Sequence, residues 1–175
     1  MLDACSVAPE AATARPLASD ETLAQTVEFK DPSGDDKGPG TYIYPSDPIY
    51  KPGSFDITEF NVNVDDKKIY FDVGLNTSVE DPWRTGAGFS VQMIFIFIDN
   101  NKGGFKDCPN GVNAAFADGS EWDKLVIISP QQLSRVKNEV AKKMPQAQQS
   151  AVVLPQRVKG AGKYIAAEVD LTKLG

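Results

Sequence analysis

The pattern of apolar and polar positions along the chain predicts short strands separated by turn signals, with one helix among them. Thr22 to Lys30 alternates as a strand, with Leu23, Val27 and Phe29 apolar. Thr41 to Tyr44 is a short β-prone piece stopped by Pro45. Ser54 to Val64 is a strand whose apolar parity switches between Ile57 and Phe60, the mark of a bulge. Asp65-Asp66-Lys67 then turns the chain into Lys68 to Asn76, where Ile69, Phe71, Val73 and Leu75 share one face and Tyr70, Asp72 and Gly74 the other. Phe89 to Asp99 carries a run of apolar residues buried on both faces, which predicts a central strand. Glu121 to Ser129 is a strand that begins at Trp122.

Ser129-Pro130 reads as an N-cap and first helical position. Leu133, Val136, Val140 and Met144 follow at helical spacing, and Pro145 ends the helix. The last strands are Ala151 to Val158 and Tyr164 to Val169, joined through Gly160-Ala161-Gly162. Many short strands and a lone helix near 130–144 predict a mainly β protein, an antiparallel β-sandwich rather than a parallel α/β fold. The domain spans 21–175. Residues 1–20, rich in Ala, Pro, Ser and Thr, read as a disordered tether.

Composition narrows the chemistry. The length of 175 residues suits one domain with a real core, and 41% hydrophobic residues with a mean hydropathy of -0.29 describe a soluble globular protein. A net charge of -6 argues against a nucleic-acid partner, which calls for a basic stripe. There is no histidine. This excludes Ser-His-Asp and Cys-His catalysis and leaves haem without its usual axial ligand. Zinc would have to rely on Cys5, Cys108 and carboxylates. Oxygen coordination of a hard cation remains.

Two loops offer such oxygens. In Asp31-Pro32-Ser33-Gly34-Asp35-Asp36, the side chains of Asp31, Ser33 and Asp35 alternate, with Asp36 beside them. Asp99 and Asn101 stand at i and i+2 in a second glycine-bearing loop. A polar turn and a calcium site both account for such residues. The adjacent pairs Asp35/Asp36 and Asp65/Asp66 diverge on turns, so nothing marks a glycosidase acid and base, and no enzyme is expected. The aromatics on or near loops are Trp83, Trp122, Tyr42, Tyr44 and Tyr50, candidates for stacking on sugar rings. Trp83, between Pro82 and Arg84 on a glycine-bearing loop, is the foremost of them.

Residues 31–45, DPSGDDKGPGTYIYP, resemble the opening of the C-terminal glucodextranase-like module, a member of the DOMON-like carbohydrate-binding β-sandwich group. Phe55-Asp56-Ile57 with Phe60, Asp81-Pro82-Trp83 with Gly88-Phe89-Ser90-Val91-Gln92, Ile98-Asp99 with Gly103-Gly104, and Trp122-Asp123 follow in that family's order. The resemblance covers about residues 24–175. It implies a non-catalytic, calcium-stabilised module of secreted or cell-envelope proteins that attaches to glycan or cell-wall polysaccharide. The alternative is a structural subunit of an envelope or S-layer-associated complex without glycan binding. It also implies strands beyond Leu174-Gly175, so the sandwich is expected to be incomplete at its C-terminal end. The stretch Gln131 to Gln149 is longer than the resemblance leads one to expect, and a docking role would account for it.

Leu2-Asp3-Ala4-Cys5-Ser6 is similar to the end of a bacterial lipoprotein signal and makes Cys5 a candidate for lipidation. Such an anchor would be the one membrane connection expected. A disulfide between Cys5 and Cys108 is the other use of that thiol, and the two cysteines could equally be unrelated.

Overall fold

A computed structural model describes residues 25–37 and 43–175. Among the described residues, eight strands form two sheets. The five-stranded sheet has the order β1 (Gln25–Lys30), β2 (Ile57–Val64), β3 (Lys68–Leu75), β8 (Tyr164–Asp170), β7 (Arg157–Ala161), and every pair in it is antiparallel. The three-stranded sheet has the order β4 (Ile94–Ile98), β5 (Lys124–Ile128), β6 (Val152–Val153). The β-sandwich expected from the strand pattern is therefore the fold.

The hairpin β2–β3 turns at Asp65, whose Oδ1 accepts the amides of Lys67 (2.8 Å) and Lys68 (2.6 Å). Its register shifts between Ile57 and Glu59, where the apolar parity switches. On β3, Phe71, Val73 and Leu75 enter the inter-sheet core. They meet Ile165, Ala167 and Val169 of β8, with Val126 and Ile128 of β5 in the same cluster. The other face of this hairpin is also covered. Asn61, Asn63 and Asp72 are buried, with Asn63 Nδ2 donating to Asp72 Oδ2 at 2.9 Å. Buried amides and carboxylates of this kind are held by such mutual hydrogen bonds.

The apolar run before Asp99 differs from its expected place. The strand is only Ile94–Ile98, and it lies at the edge of its sheet; β5 is central. The run is still used on both sides. Ile94, Ile96 and Ile98 pack on the inter-sheet core, while Phe95 and Phe97 pack on a second cluster with Trp122, Leu125, Ile127, Val136 and Met144. Aliphatic and aromatic residues thus alternate by face, and the three-stranded sheet sits between the larger sheet and the helix.

Helix α1 (Leu133–Lys143) starts later than Ser129-Pro130. Ser129 Oγ instead accepts the Gln131 amide at 3.2 Å, so its hydroxyl closes a turn before the helix. The helix ends at Met144, ahead of Pro145, as the proline requires. A one-turn helix α2 (Gln146–Gln149) follows. The stretch Ala151 to Val158 is not one strand: β6 and β7 belong to different sheets, and Leu154-Pro155-Gln156 carries the chain between them. Strand β6 runs parallel to β5, because α1 provides the crossover that a parallel pair needs. Ile43 and Tyr44 are not in a strand, and the rest of Thr41 to Tyr44 lies outside the described residues.

Candidate functional site

The loop from Asp81 to Ser90 is organised by one carboxylate. Asp81 Oδ1 accepts hydrogen bonds from the Thr85 amide (2.8 Å) and the Ser90 hydroxyl (2.6 Å), and Oδ2 accepts the Gly86 amide (3.0 Å). The Thr85 hydroxyl stands within reach of both Asp81 Oδ1 and the Phe89 carbonyl. These donors, Ser90 first, favour the charged form and hold the Asp81 carboxyl well below the usual carboxylate range. Sharp local geometry completes the loop: Arg84 adopts φ 53° and Gly86 φ 85°. Its far end is stapled to β7, where the Gly160 amide donates to the Ala87 carbonyl at 2.6 Å.

Trp83 rides on this frame. Its amide donates to Ser90 Oγ at 3.3 Å, and its side chain is 59% exposed. A bulky aromatic left in solvent on a loop braced at several points is a preorganised stacking surface, since little conformational freedom remains to be lost on binding. Glu80, at the start of the loop, pairs with Lys51 and so connects it to the irregular segment before Phe55. In that segment Tyr44 and Tyr50 each lie 5.8 Å from the partly exposed Phe55 ring.

The remaining expected residues fall into different places. Trp122 is not on the surface. It is 1% exposed, its indole N–H donates to the Asp107 carbonyl at 3.3 Å, and its ring packs against Phe97 and Phe105. The bridge Phe105↔Trp122 and the face of β5 turned toward α1 leave it no route to a ligand, so its assignment to sugar binding is withdrawn. Tyr44 is half-buried. Its phenol is held above its ordinary value first by burial and then by a hydrogen bond to the Asp36 carboxylate. Tyr42 and Cys5 lie outside the described residues. Cys108 is a free thiol, pushed up by burial and then by Asp107.

The first oxygen-rich loop is anchored by a residue that spacing alone did not mark. Asp56 is 1% exposed, and its Oδ2 accepts the Gly34 amide at 2.6 Å and Asn76 Nδ2 at 2.8 Å. Its Oδ1 is buried and meets no partner among the described residues. Asp31, Ser33 and Asp35 are exposed around this anchor. In the second loop, the amides of Asn100 (2.8 Å) and Asn101 (2.7 Å) both donate to Asp123 Oδ2. Asn100 Nδ2 donates to the Leu174 carbonyl, while Asp99 and Asn101 point to solvent-exposed positions. Among the described residues, no three carboxylates or thiols gather where they could hold a metal ion.

Asp81, Asp56 and Asp123 thus share one office: each accepts hydrogen bonds that fix a loop, Asp81 and Asp123 from two backbone amides each, Asp56 from the Gly34 amide and the Asn76 side chain. All three stand inside the family-like motifs, beside Trp83, Phe55 and Trp122.

Residues 26–175 match the family model of the C-terminal, SLH-like binding module of glucodextranase. The chain belongs to this family. No curated protein matches it. The family is one of binding modules rather than of catalytic domains, and the resemblance noted from the opening loop onward is thereby established over nearly the whole described chain.

Proposed function

We propose that this module is a non-catalytic adhesion domain that holds its parent protein to cell-surface polysaccharide. The family supports it, because SLH-like modules attach proteins to the cell envelope. The observation that carries it to residue level is Trp83, exposed on a loop that Asp81 and the Gly160–Ala87 hydrogen bond make rigid. Sugar rings present an apolar C–H face and polar hydroxyl edges. An exposed indole on a braced loop matches the first, and the Lys51 and Glu80 side chains beside that loop are suited to the second.

Binding to isolated cell-wall polysaccharide, followed by a pull-down or by affinity electrophoresis, tests this reading. Saturable binding that weakens about tenfold or more in Trp83→Ala is expected, the scale of losing a central aromatic anchor. If wild type and variant bind no polysaccharide and a protein partner co-purifies instead, the domain is a structural subunit of an envelope complex.

Two finer statements belong to the same proposal. Calcium is assigned to the Asp31–Asp36 loop, on the ground that Asp56 Oδ1 is buried there without a partner among the described residues and the loop supplies only oxygen donors. An extracellular or envelope location goes with the adhesive role, and a lipid on Cys5 would tether the domain there.

A further inference from the structure

Between α1 and the chain that passes from β6 to β7 lies a cleft of about 630 Å³. A second hollow of about 300 Å³ shares Leu133, Leu154, Pro155 and Gln156 with it and ends at Gly86 and Ala87. The two form one groove that opens at the foot of the Trp83 loop. The larger hollow is lined by Lys124, Lys137 and Lys173 and by no carboxylate. On a chain of net charge -6 this is a reversal of sign.

Two nearby acids are engaged elsewhere: Glu139 faces Lys143 at 3.7 Å, and Asp123 accepts the Asn100 and Asn101 amides. Asp170 is the exception, taking the Gln156 amide and standing 3.8 Å from Lys173 at the groove itself, which leaves Lys124 and Lys137 as its unpaired charges. Lys124 and Lys137 have no ion-pair partner among the described residues. Strand β6 is the edge of its sheet, so the backbone of Val152 and Val153 has no strand on the groove side. Hydroxyl groups can pair with such an edge.

We propose that this groove binds an acidic polysaccharide whose rings carry carboxylates, the lysines taking the carboxylates and Leu133 and Pro155 the ring faces. The inference rests on the polysaccharide-binding reading above and names its ligand class. Charge complementarity selects an anionic chain. The apolar floor, with Leu133 51% exposed, selects one built of rings over a polyol phosphate. Three lysines on an acidic protein fall short of the basic stripe that nucleic acid needs.

Titrations of the whole chain with polygalacturonate, a neutral glucan, linear polyphosphate and a single-stranded DNA oligonucleotide test it, at low and at 0.5 M salt. Polygalacturonate is expected to bind, to weaken with salt, and to lose about tenfold in affinity in the double variant Lys124→Gln/Lys137→Gln, a few-fold for each exposed charge contact. Lys102→Gln makes the same kind of charge change outside the groove and is expected to leave binding unaltered. Unchanged melting temperatures show that the variants fold. Trp83-dependent binding of the neutral glucan that equals polygalacturonate and ignores the double variant overturns the lysine assignment and leaves the adhesive role standing. Equal binding of polyphosphate or DNA also overturns it. Failure to bind any polysaccharide overturns both readings.

Discussion

Gly88 is where the Trp83 loop touches the sheet, and its substitution separates strain from steric conflict. It has φ 82°, and a Cβ there would overlap the Gly160 carbonyl oxygen and lie 3.1 Å from its carbon. The obstacle is backbone on both sides, because a Cβ on Gly160 would in turn sit 2.9 Å from the Gly88 carbonyl oxygen. No side chain can swing away. Gly86 has nearly the same φ, 85°, but open space around its Cβ position. Gly86→Ala therefore carries only the cost of a left-handed backbone, about 1 kcal/mol. Gly88→Ala carries that same cost, and it also forces the loop off β7, losing the Gly160–Ala87 hydrogen bond at about 1 kcal/mol. Disturbed packing at Phe89, which is fully buried, adds roughly 1 to 2 kcal/mol more. Urea unfolding should then show Gly88→Ala destabilised by about 3 to 4 kcal/mol and Gly86→Ala by about 1. Polysaccharide affinity should fall in Gly88→Ala under conditions where it remains folded. Equal losses in the two variants would refute the staple and leave only the conformational preference of glycine.

The two tryptophans should behave oppositely. Trp122→Ala is expected to cost about 3 to 5 kcal/mol in denaturant unfolding, as deletion of a buried indole does, whereas Trp83→Ala should leave stability within about 0.5 kcal/mol and act on binding alone. Asp81 has a folded pKa below its ordinary 3.8, so the stability it contributes is present above that pH and is lost as pH falls through the folded value. The melting temperature of the wild type should accordingly fall more steeply than that of Asp81→Asn as pH drops below about 4, and parallel profiles would count against the carboxylate as the loop's organiser. Chelation of calcium should lower the melting temperature by several degrees, roughly 5 to 10 °C for an ion held well below its free concentration; no shift and no metal in elemental analysis would remove calcium from the proposal.

Local pattern carried a good part of this protein. The β2–β3 hairpin, its bulge after Ile57 and the end of α1 before Pro145 all follow from periodicity or from the habits of proline, glycine and aspartate over a few residues. Of the aspartates in the family-like motifs, Asp81 is of the same kind, serving amides of its own loop, whereas Asp56 and Asp123 take amides from loops distant in the chain. What periodicity could not rank was burial among equals. Trp83 and Trp122 look alike in sequence, each beside a turn and a charged residue. Only the packing of Phe97 and Phe105 from distant segments made one of them core.

The edge place of β4 and the parallel β5–β6 pair were beyond reach for the same reason. A doubly buried run shows that both of its faces are covered, but not which neighbours lie beside it in the sheet. The groove is the extreme case. Lys124, Lys137 and Lys173 are ordinary surface lysines along the chain, and they become one feature because a helical crossover, a two-residue edge strand and the C-terminal turn converge on it. Sequence alone determined the β2–β3 hairpin, the mainly β class and the family resemblance, because short-range backbone preference and side-chain alternation are written residue by residue. Tertiary structure alone decided which aromatic faces water and where the charges meet, because burial and electrostatic fields are sums over contacts between residues far apart in the chain.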